Sequence, residues 1–528
     1  MWTTGWRDPL WAELDRDEWD LIVIGGGITG AGILRESARL GLRCILFEAH
    51  DFASGTSSRS SKLVHGGLRY LKNAQLKLTS ESVHEREHLL KEGRGLVTPL
   101  PFLMANFQGD RVPDWVFGLG LSVYDLLALK WNHASYSADG MRALCPQLSA
   151  PQLVSGFRYF DAQTDDARLV LRVLQEAVGD GAAALNYARV EGFLRNSTQK
   201  VCGVSVTDLA PGAGGRTMEV RGKVVINASG AWADELRLQN GGRQRLRILR
   251  GSHLFMPWKK LPLTRAVTFW HPQDGRPVFI LPWEGLTLIG TTDMDHHANP
   301  STDLSISQAE TEYLMTAVQY AFPDLELKQK DVQSTLAGLR AVVDTGKANP
   351  SKESREFVLW MENGLLTVSG GKLTTFRLMA QKALKAVRTL LPDIPKMDRN
   401  ERVLDPLPDE NSLGDLPVEM RLRLLGRYGR AACDLVSAAQ PAELDPIAES
   451  LPLWAELRWA ARTEGVTHLD DLMLRRVRLG LQLPGGGVGQ LDRVRSIVQP
   501  ELGWSDARWL EEESAYKRLW QAYYAPLI

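Results

Sequence analysis

The chain has 528 residues, of which 44% are apolar and 24% are charged, and its formal net charge is −1. This length allows two or three domains with a sizeable core. So small a net charge gives no electrostatic indication of nucleic-acid binding, and we expect no such partner. The four cysteines form no C-x-x-C pair, so we expect free thiols in a reducing compartment.

Residues 1–18 are a leader that mixes tryptophans with charged residues and lacks the apolar core of a signal peptide. No apolar run in the sequence reaches the length of a membrane span. The longest run, from Val116 to Leu129, is short and contains Asp125. We expect it to form a buried helix.

A strand–turn–helix–strand unit begins at Asp20. The apolar run after Asp20 is typical of a strand buried in a parallel sheet, and Gly25, Gly27 and Gly30 follow with G-x-G-x-x-G spacing. The glycines allow a tight turn, approach of a pyrophosphate, and close helix packing, in that order. A second strand ends at Glu48, where a carboxylate can accept hydrogen bonds from ribose hydroxyls. The unit predicts a dinucleotide site.

Two later segments repeat parts of this pattern. A helix is predicted from Asp165, with acidic residues at its start. A strand from Gly222 runs into a small-residue turn that includes Ala228 and Gly230 and then into a helix. Such a turn lets a flat or phosphorylated ligand lie against the backbone.

After residue 244 the predicted secondary structure changes twice along the chain. Residues 245–345 are rich in strand-like runs and predict a large antiparallel sheet that forms a substrate wall. From Leu365, a strand, a glycine turn and a helix return the chain to the nucleotide unit. Residues 416–528 carry helical patterns at 418–428, 453–464, 468–482 and 506–523. They predict a small helical domain that is attached to, and not part of, the catalytic unit.

Several sequence blocks together resemble one family. They are GGGITGAGI, TSSRSSKLVHGGLRYL, NASGAW, RGSH, IGTTD, AGLR, SRE and SGGKLTTFR, and they resemble the FAD-dependent glycerol-3-phosphate dehydrogenases of bacteria and mitochondria. The resemblance implies oxidation of sn-glycerol 3-phosphate to dihydroxyacetone phosphate, with electrons passed to a membrane quinone. It also implies peripheral attachment to the cytoplasmic face of the membrane. A homodimer remains an open alternative.

The fold class that the resemblance implies is α/β. A Rossmann-like FAD-binding domain of the D-amino-acid-oxidase type is joined to an antiparallel-sheet substrate domain and a C-terminal all-α domain. We predict the following division: leader, 1–18; FAD-binding domain, 19–92, 161–244 and 346–397; substrate domain, 93–160 and 245–345; helical domain, 398–528.

The resemblance also implies a substrate pocket. The planar guanidinium of an arginine can donate two hydrogen bonds at once to the oxygens of a phosphate, which suits a phosphate dianion. The residues that the family match implies for this pocket are Arg69, Tyr70, Arg340, Arg355 and Lys372. In the family, proline often follows the arginine of the AGLR block, whereas Ala341 follows here. This departure concerns the geometry of the loop.

Oxidation of the C2 hydroxyl needs a proton acceptor. His253 is our first candidate, because imidazole titrates near neutral pH and a cationic pocket would keep it neutral. We assign Arg340 to stabilisation of the alkoxide, since a guanidinium does not lose its proton.

The flavin contacts implied by the family match come from several blocks. They are Gly25, Gly27, Gly30, Glu48, Ser57, Ser58, Lys62, Leu63, His65, Gly67, Val190, Ala228, Gly230, Gly371, Lys372, Leu373 and Thr374. Among them, Lys372 is also placed to neutralise negative charge on the reduced flavin.

His84 to His88 read H-E-x-x-H, the spacing of zinc proteases. The segment is highly charged, and no third ligand is recognisable downstream. We therefore interpret it as a solvated helix face with ion pairs and expect no metal.

Three alternative functions stay open on sequence grounds. The first is an oxidase that acts on the same substrate but reduces oxygen, and the second is an amine or amino-acid oxidase of the same fold. The third is a flavin-binding sensor or scaffold without turnover. The arginine-rich pocket argues against the third, but the sequence does not distinguish quinone from oxygen.

Overall fold

The computed structural model describes residues 2–67, 76–110, 114–128, 132–300, 304–347, 353, 356–398 and 401–527. Of the side chains of residues 114–117 and 128 nothing is described. In these ranges the four cysteines are free thiols, as expected. No helix of the described ranges is long and apolar enough to cross a membrane.

The strands of the described residues are β1 (Trp19–Ile24), β2 (Cys44–Phe47), β3 (Leu63–Val64), β4 (Val97–Phe107), β5 (Ala134–Ser137), β6 (Leu153–Thr164), β7 (Ala183–Leu185), β8 (Ala188–Arg195), β9 (Val201–Asp208), β10 (Thr217–Asn227), β11 (Leu246–Pro257), β12 (Ala266–Trp270), β13 (Pro277–Trp283), β14 (Leu286–Gly290), β15 (Met294–Asp295), β16 (Ser334–Val343), β17 (Val358–Glu362) and β18 (Leu365–Ser369).

The α-helices are α1 (Arg7–Trp11), α2 (Ile28–Arg39), α3 (Leu76–Glu92), α4 (Asp114–Ala128), α5 (Ala138–Leu144), α6 (Asp166–Gly179), α7 (Ala233–Gln239), α8 (Gln308–Ala321), α9 (Phe376–Val387), α10 (Val418–Tyr428), α11 (Ala431–Ser437), α12 (Trp454–Thr463), α13 (Leu469–Asp471), α14 (Leu479–Gln482), α15 (Leu491–Leu502) and α16 (Asp506–Tyr523).

The first sheet is built around β1. Its strand order is β17-β18-β10-β1-β2-β7, with β8 and β9 added to β10, and the pairs from β18 to β7 are parallel. Leu21, Ile22 and Val23 are fully buried. Helices α2, α6 and α9 cover the face that carries Leu21 and Val23, whereas Ile22 packs on the other face, in a cluster with Trp11 of the leader. The order is that of a nucleotide-binding sheet, with β1 at its centre and the glycine turn at the carboxyl end of β1.

The second sheet is largely antiparallel. Its order is β15-β11-β14-β13-β12-β4-β6-β3, with β16 paired to β11 and β5 to β6. Most of residues 245–345 lie in it, so the predicted antiparallel wall is present. The strand β3 also joins this sheet, by pairing with β6, although we expected its segment to stay with the nucleotide unit. The chain thus passes from the first sheet to the second directly after the glycine unit.

The N-terminal leader folds onto the first sheet. The Trp2 ring packs against Phe52 with ring centroids 4.9 Å apart, and its indole N–H donates to the carbonyl of Ala184 at 2.9 Å. Arg7 forms an ion pair with the buried Asp208 at 2.5 Å. The leader therefore closes the edge of the sheet near β7 and β9.

Helix α4, which we expected to be buried, is half exposed. Leu121 and Tyr124 are buried, whereas the side chains of Leu119 and Leu126 are 61% and 65% exposed. Asp125 is buried by an ion pair with His133 at 2.7 Å, so the exposed face of this part of the helix is apolar.

The C-terminal helices share a core with the second sheet. Phe255 and Trp283 of the sheet lie in one apolar cluster with Trp509 and Tyr516 of α16. The helices predicted at 418–428, 453–464 and 506–523 are present, as α10, α12 and α16, and α15 is an additional helix that the sequence patterns did not indicate. The unit at 468–482 is broken into α13, a π-helical turn at Leu472–Arg476, and α14.

Candidate active site

One large cavity, of about 1950 Å³, is lined by residues of both sheets. Small-molecule pockets are commonly about 300–1,000 Å³, so this cavity has room for more than one ligand. It opens at the carboxyl ends of β1 and β2, and its opposite wall is made by β11, β12 and β16. This is the crevice in which α/β sheets bind their ligands.

The glycine turn brings backbone to the cavity wall. A Cβ at Gly25 would lie 2.6 Å from the carbonyl oxygen of Ala228, and Gly25 has φ of 111°. A Cβ at Gly30 would lie 1.9 Å from the carbonyl oxygen of Gly25, so the third glycine serves helix packing and does not line the cavity. The N–H of Ile28 at the start of α2 donates to Ser57 Oγ at 2.9 Å. The positive end of α2 therefore faces the cavity beside Gly27 and Ser57.

Glu48 lies at the end of β2 and also lines the cavity. Its carboxylate accepts from the N–H of Gly26 at 2.6 Å and from the N–H of His50 at 2.8 Å. Burial raises the pKa of Glu48, although both N–H donors oppose that shift. The two hydrogen bonds thus fix the Glu48 side chain in the wall of the cavity.

Most other predicted cofactor residues share this cavity. The lining includes Leu63, His65, Gly67, Val190, Ala228, Gly230, Gly371, Lys372, Leu373 and Thr374. Two blocks far apart in sequence are joined here, because Thr374 Oγ1 donates to the carbonyl of His65 at 3.2 Å.

Ser58 and Lys62 differ from expectation, because neither lines the cavity. The Lys62 side chain is fully buried, and its Nζ lies 2.8 Å from both carboxylate oxygens of Asp166. It also donates to the carbonyl of Ser58 at 2.6 Å. The φ of Lys62 is 61°, and this left-handed conformation turns the side chain away from the ligand space and behind the loop. Burial and the charge of Arg478 lower the pKa of Lys62 to about 7, whereas Asp166 acts in the opposite direction.

His253 lies in the cavity wall, on β11. Its Nε2 lies 2.8 Å from Ser61 Oγ, and its Nδ1 is buried without a hydrogen-bond partner among the described residues. Burial, together with the charges of Lys62 and Arg340, lowers the pKa of His253 well below its usual value. The imidazole is therefore neutral at neutral pH, as a general base requires.

Arg340 lies on β16, the strand paired with β11. Its Nη2 donates to the carbonyl of Thr292 at 3.0 Å. A Cβ at Gly251 would lie only 2.1 Å from that Nη2, so the guanidinium lies over the bare backbone of Gly251. Gly251 stands between His253 and Leu249, and Leu249 is the residue opposite Arg340. The arginine thus extends along the sheet face toward the histidine.

Lys372 approaches from the first sheet. It follows the glycine turn after β18, and its Nζ donates to Ser82 Oγ of α3 at 2.7 Å. The described cavity therefore holds cations on two of its walls, Arg340 on the second sheet and Lys372 beside the nucleotide unit. The predicted residues Arg69, Tyr70 and Arg355 lie outside the described residues.

Sequence reasoning missed several residues of this site. Ser61 was not singled out, and neither were Gly251 and Gly290, although all three stand inside blocks that resemble the family. Asp166 was noted only as a helix start, yet it anchors Lys62. For Ser61, Gly251 and Gly290, membership of a family block was the one available signal, since their contacts depend on how distant segments pair in the fold.

The H-E-x-x-H segment lies on α3. Glu85 forms an ion pair with Arg377 at 2.8 Å, and His88 lies 3.2 Å from Glu92. Among the residues that the structure describes, no group of three His, Cys, Asp or Glu side chains is placed to hold a metal ion. Glu85 and Arg86 are buried in ion pairs, so the expectation of a solvated helix face was wrong for these two residues.

Comparison with known proteins agrees with this geometry. A model of the FAD dependent oxidoreductase family matches residues 20–377, and a model of the C-terminal domain of alpha-glycerophosphate oxidase matches residues 366–509. An aerobic glycerol-3-phosphate dehydrogenase of Staphylococcus haemolyticus is 34% identical over 499 residues, which cover 89% of this chain and 88% of that protein.

The chain belongs to the FAD-dependent glycerol-3-phosphate dehydrogenase family. The solved structure of the glycerol-3-phosphate dehydrogenase from Bacillus halodurans complexed with FAD superposes with a TM-score of 0.80 at 28% identity, covering 100% of this chain and 99% of that chain. The predicted fold class is therefore confirmed. FAD is confirmed as the cofactor of this family member, and the glycine turn, the start of α2 and Glu48 fit its dinucleotide half.

Proposed function

We propose that this member of the family oxidises sn-glycerol 3-phosphate to dihydroxyacetone phosphate and passes the electrons to a membrane quinone. The observation that carries the proposal is the pairing of a neutral His253 with Arg340 on one face of the second sheet, inside the cavity that the nucleotide turn also lines. The names of the relatives, aerobic glycerol-3-phosphate dehydrogenases, support the choice of substrate.

The substrate contacts follow from charge and position. A phosphate dianion needs cations, and Lys372 and Arg340 offer them from two walls of the cavity. We propose that Arg69, Tyr70 and Arg355 complete the phosphate site, on the strength of the family resemblance. Arg340 additionally stabilises the oxygen of C2 as its proton leaves.

The two electrons and two hydrogens of the oxidation separate as follows. The hydroxyl proton at C2 goes to His253, whose lowered pKa keeps a lone pair ready to accept it. FAD, held by the cavity residues named below, would supply the oxidant for the C2 hydride, at flavin N5, and would pass two electrons on to the quinone. The substrate loses the C2–H and O–H bonds and gains the carbonyl of dihydroxyacetone phosphate.

For the cofactor, the proposed contacts divide into two sets. The pyrophosphate lies against Gly25, Gly27 and Ser57, and the adenosine half lies against Glu48 and Val190. The set for the flavin half is Leu63, His65, Gly67, Ala228, Gly230, Gly371, Lys372, Leu373 and Thr374. Gly30, Ser58 and Lys62 support these contacts from behind, since none of the three lines the cavity.

The exposed apolar face of α4 supports the membrane part of the proposal. Leu119 lines the cavity mouth, and Leu126 is exposed on the same helix, seven residues or about two turns later. An apolar face at the mouth would lie on the lipid surface and give a quinone a short path to the flavin. We propose that the protein works at the cytoplasmic face of the membrane as a peripheral protein.

A panel of substrates and acceptors tests the proposal. The FAD-loaded protein would be assayed with sn-glycerol 3-phosphate, its sn-1 enantiomer, glycerol and a set of amino acids, each with a soluble quinone or with oxygen alone. We expect turnover only with sn-glycerol 3-phosphate and much faster turnover with quinone. Peroxide formation at the quinone rate would make the protein an oxidase, and turnover of an amino acid would replace the substrate assignment.

A further inference from the structure

A short loop stands between the cavity and the C-terminal helices. Residues 54–61, here called the cavity loop, contribute Ser57 and Ser61 to the cavity lining. On its other side, the loop is fastened by Lys62, whose side chain is fully buried behind it. The loop therefore has a ligand side and a support side.

Asp166, at the start of α6, is the centre of the support side. It accepts from Ser60 Oγ at 2.7 Å and from Lys62 Nζ at 2.8 Å. A third donor, Arg478 Nη2, reaches the same carboxylate at 2.5 Å. The same Nη2 also donates to the carbonyl of Ser58 at 3.1 Å. One guanidinium thus contacts both the anchor of the loop and the loop itself.

Arg478 comes from the C-terminal helical domain, 420 residues after Ser58. It stands at the start of α14 with φ of 63°, and its Nη1 donates to the carbonyl of Leu474 at 2.7 Å. A left-handed backbone conformation costs free energy in a residue other than glycine. Such a cost is not expected at a residue whose side chain has only a packing role. Buried ion clusters of this kind also add little net stability, which favours a positional role.

On its ligand side, the cavity loop contacts His253, the proposed proton acceptor. Ser61 Oγ lies 2.8 Å from His253 Nε2, and this is the hydrogen bond that the structure gives the imidazole among the described residues. Which ring nitrogen of a neutral histidine carries the proton is set by such a bond. A shift of the cavity loop would therefore change both the tilt and the tautomer of His253.

We propose that Arg478 of the C-terminal helical domain is a positioning residue for the active site: with Lys62 and Asp166 it fixes the cavity loop, and through the loop the Ser61 hydroxyl that holds His253. The C-terminal domain then belongs to the catalytic unit, contrary to the sequence-based expectation of an attached domain. The proposal rests on the proposed function in one respect, namely that His253 accepts the substrate proton.

The variants that test it are R478Q, R478K, S61A and the double variant R478Q/S61A. The matched control is R458Q, because Arg458 is a largely buried arginine of the same domain that pairs with Glu443 at 2.6 Å and Glu501 at 2.5 Å, both within that domain, and not with Ser58 or Asp166. Each FAD-loaded protein would be followed by hydrogen–deuterium exchange over residues 54–62 and by the rate of flavin reduction with sn-glycerol 3-phosphate from pH 5.5 to 9.

We expect R478Q and S61A each to slow flavin reduction by about tenfold or more, with a smaller change in half-saturation and a shifted acid limb of the pH profile. R478Q should also speed exchange in the loop, R478K should recover part of the rate, and R458Q should leave both readouts near wild type. The double variant should reduce the flavin no more slowly than R478Q alone, since both substitutions disrupt the same contact, that between Ser61 and His253.

Two results would overturn the proposal. The first is a double variant whose loss of flavin-reduction rate equals the product of the two single losses. The second is an R478Q protein with wild-type hydrogen–deuterium exchange in the loop and a wild-type rate of flavin reduction. If R478Q does not fold, R478K and S61A carry the same comparison at smaller amplitude. If the wild-type flavin is not reduced by sn-glycerol 3-phosphate, the proposed function fails. The exchange rate of the loop in R478Q, compared with that in R458Q, still decides whether Arg478 fixes the loop.

Discussion

Gly290 lies directly opposite His253 on the neighbouring strand, and a Cβ at position 290 would lie 2.1 Å from His253 Cδ2. The imidazole can occupy its place only because this strand position has no side chain. The position of the proton acceptor is thus decided by a residue on a different strand.

Gly290→Ala tests this relationship. The added methyl group would push the ring off its place and break the 2.8 Å contact with Ser61, so we expect flavin reduction to slow by roughly 100-fold, the usual range for a displaced general base. The measurement is single-turnover flavin reduction. Gly179→Ala, at an exposed helix end with nothing within 4 Å, is the control and should match wild type. An unimpaired Gly290→Ala protein would show that the ring has room to move.

Arg340→Ala separates cofactor binding from substrate oxidation. Arg340 donates to the carbonyl of Thr292 and extends over Gly251 of β11, on the wall of the cavity opposite the nucleotide turn. We expect FAD to stay bound while the limiting rate of flavin reduction falls by roughly 100- to 1,000-fold. Arg221→Ala, an exposed arginine on β10, serves as the control. Wild-type rate and half-saturation in Arg340→Ala would contradict the assignment of this pocket.

Glu48→Ala probes the adenosine half of the cofactor site. The change removes a carboxylate that accepts two backbone N–H groups and, by our proposal, the ribose hydroxyls. Lost hydrogen bonds to a charged group correspond to a roughly 10- to 100-fold weaker Kd for FAD, measured by flavin fluorescence on titration of apoprotein. The exposed Glu219→Ala should leave the Kd unchanged. An unchanged Kd in Glu48→Ala would remove this residue from the cofactor site.

These features differ in how far the sequence could predict them. The glycine turn was predictable because its chemistry is local: Gly25 and Gly30 contact each other across a single turn. The role of Gly290 was not predictable, because its effect on His253 depends on the register in which β11 pairs with β14, and the two residues are 37 positions apart in the chain.

The C-terminal part illustrates the same limit. Amphipathic periodicity predicted the helices at 418–428 and 506–523, whereas α15 was missed because Pro500 lies near its end and a glycine-rich turn precedes it. The contact of Arg478 with Ser58 could not be predicted at all, since no local pattern joins residues 420 positions apart.

Leu119 and Leu126 give a prediction about membranes. The double variant Leu119→Ser/Leu126→Ser should reduce cosedimentation with phospholipid vesicles by roughly 100-fold, because each exposed leucine gains about 1.5–3 kcal/mol when it leaves water. Reduction of a soluble quinone should stay near wild type. Leu510→Ser, an equally exposed leucine on α16, is the control. If Leu510→Ser lost binding as well, or if wild type did not bind vesicles, α4 would not be the membrane face.

Acidification is expected to loosen the C-terminal domain. Burial alone would raise the pKa of Asp51, but Arg476 and Arg475 hold it well below the ordinary 3.8. The same applies to Asp165, whose pKa is lowered by Arg478 and Arg427. A carboxyl with a lowered pKa stabilises the fold above its unfolded pKa, and this contribution is lost as the pH falls below about 4.

The free energy of unfolding, measured by denaturant titration, should therefore fall steeply as the pH drops below about 4. At pH 7, Asp51→Asn should cost about 3–5 kcal/mol, because it removes the carboxylate that pairs with the buried Arg476 and one of the carboxylates that pair with Arg475. The exposed Asp393→Asn is the control. A cost below about 1 kcal/mol would show that these buried pairs do not fasten the domain.

The most direct test of the account is anaerobic mixing of the FAD-loaded protein with sn-glycerol 3-phosphate, followed by flavin absorbance. The account predicts rapid and complete bleaching that saturates with substrate and is nearly lost in Arg340→Ala. Persistent yellow colour in a wild-type protein that demonstrably holds FAD would contradict it.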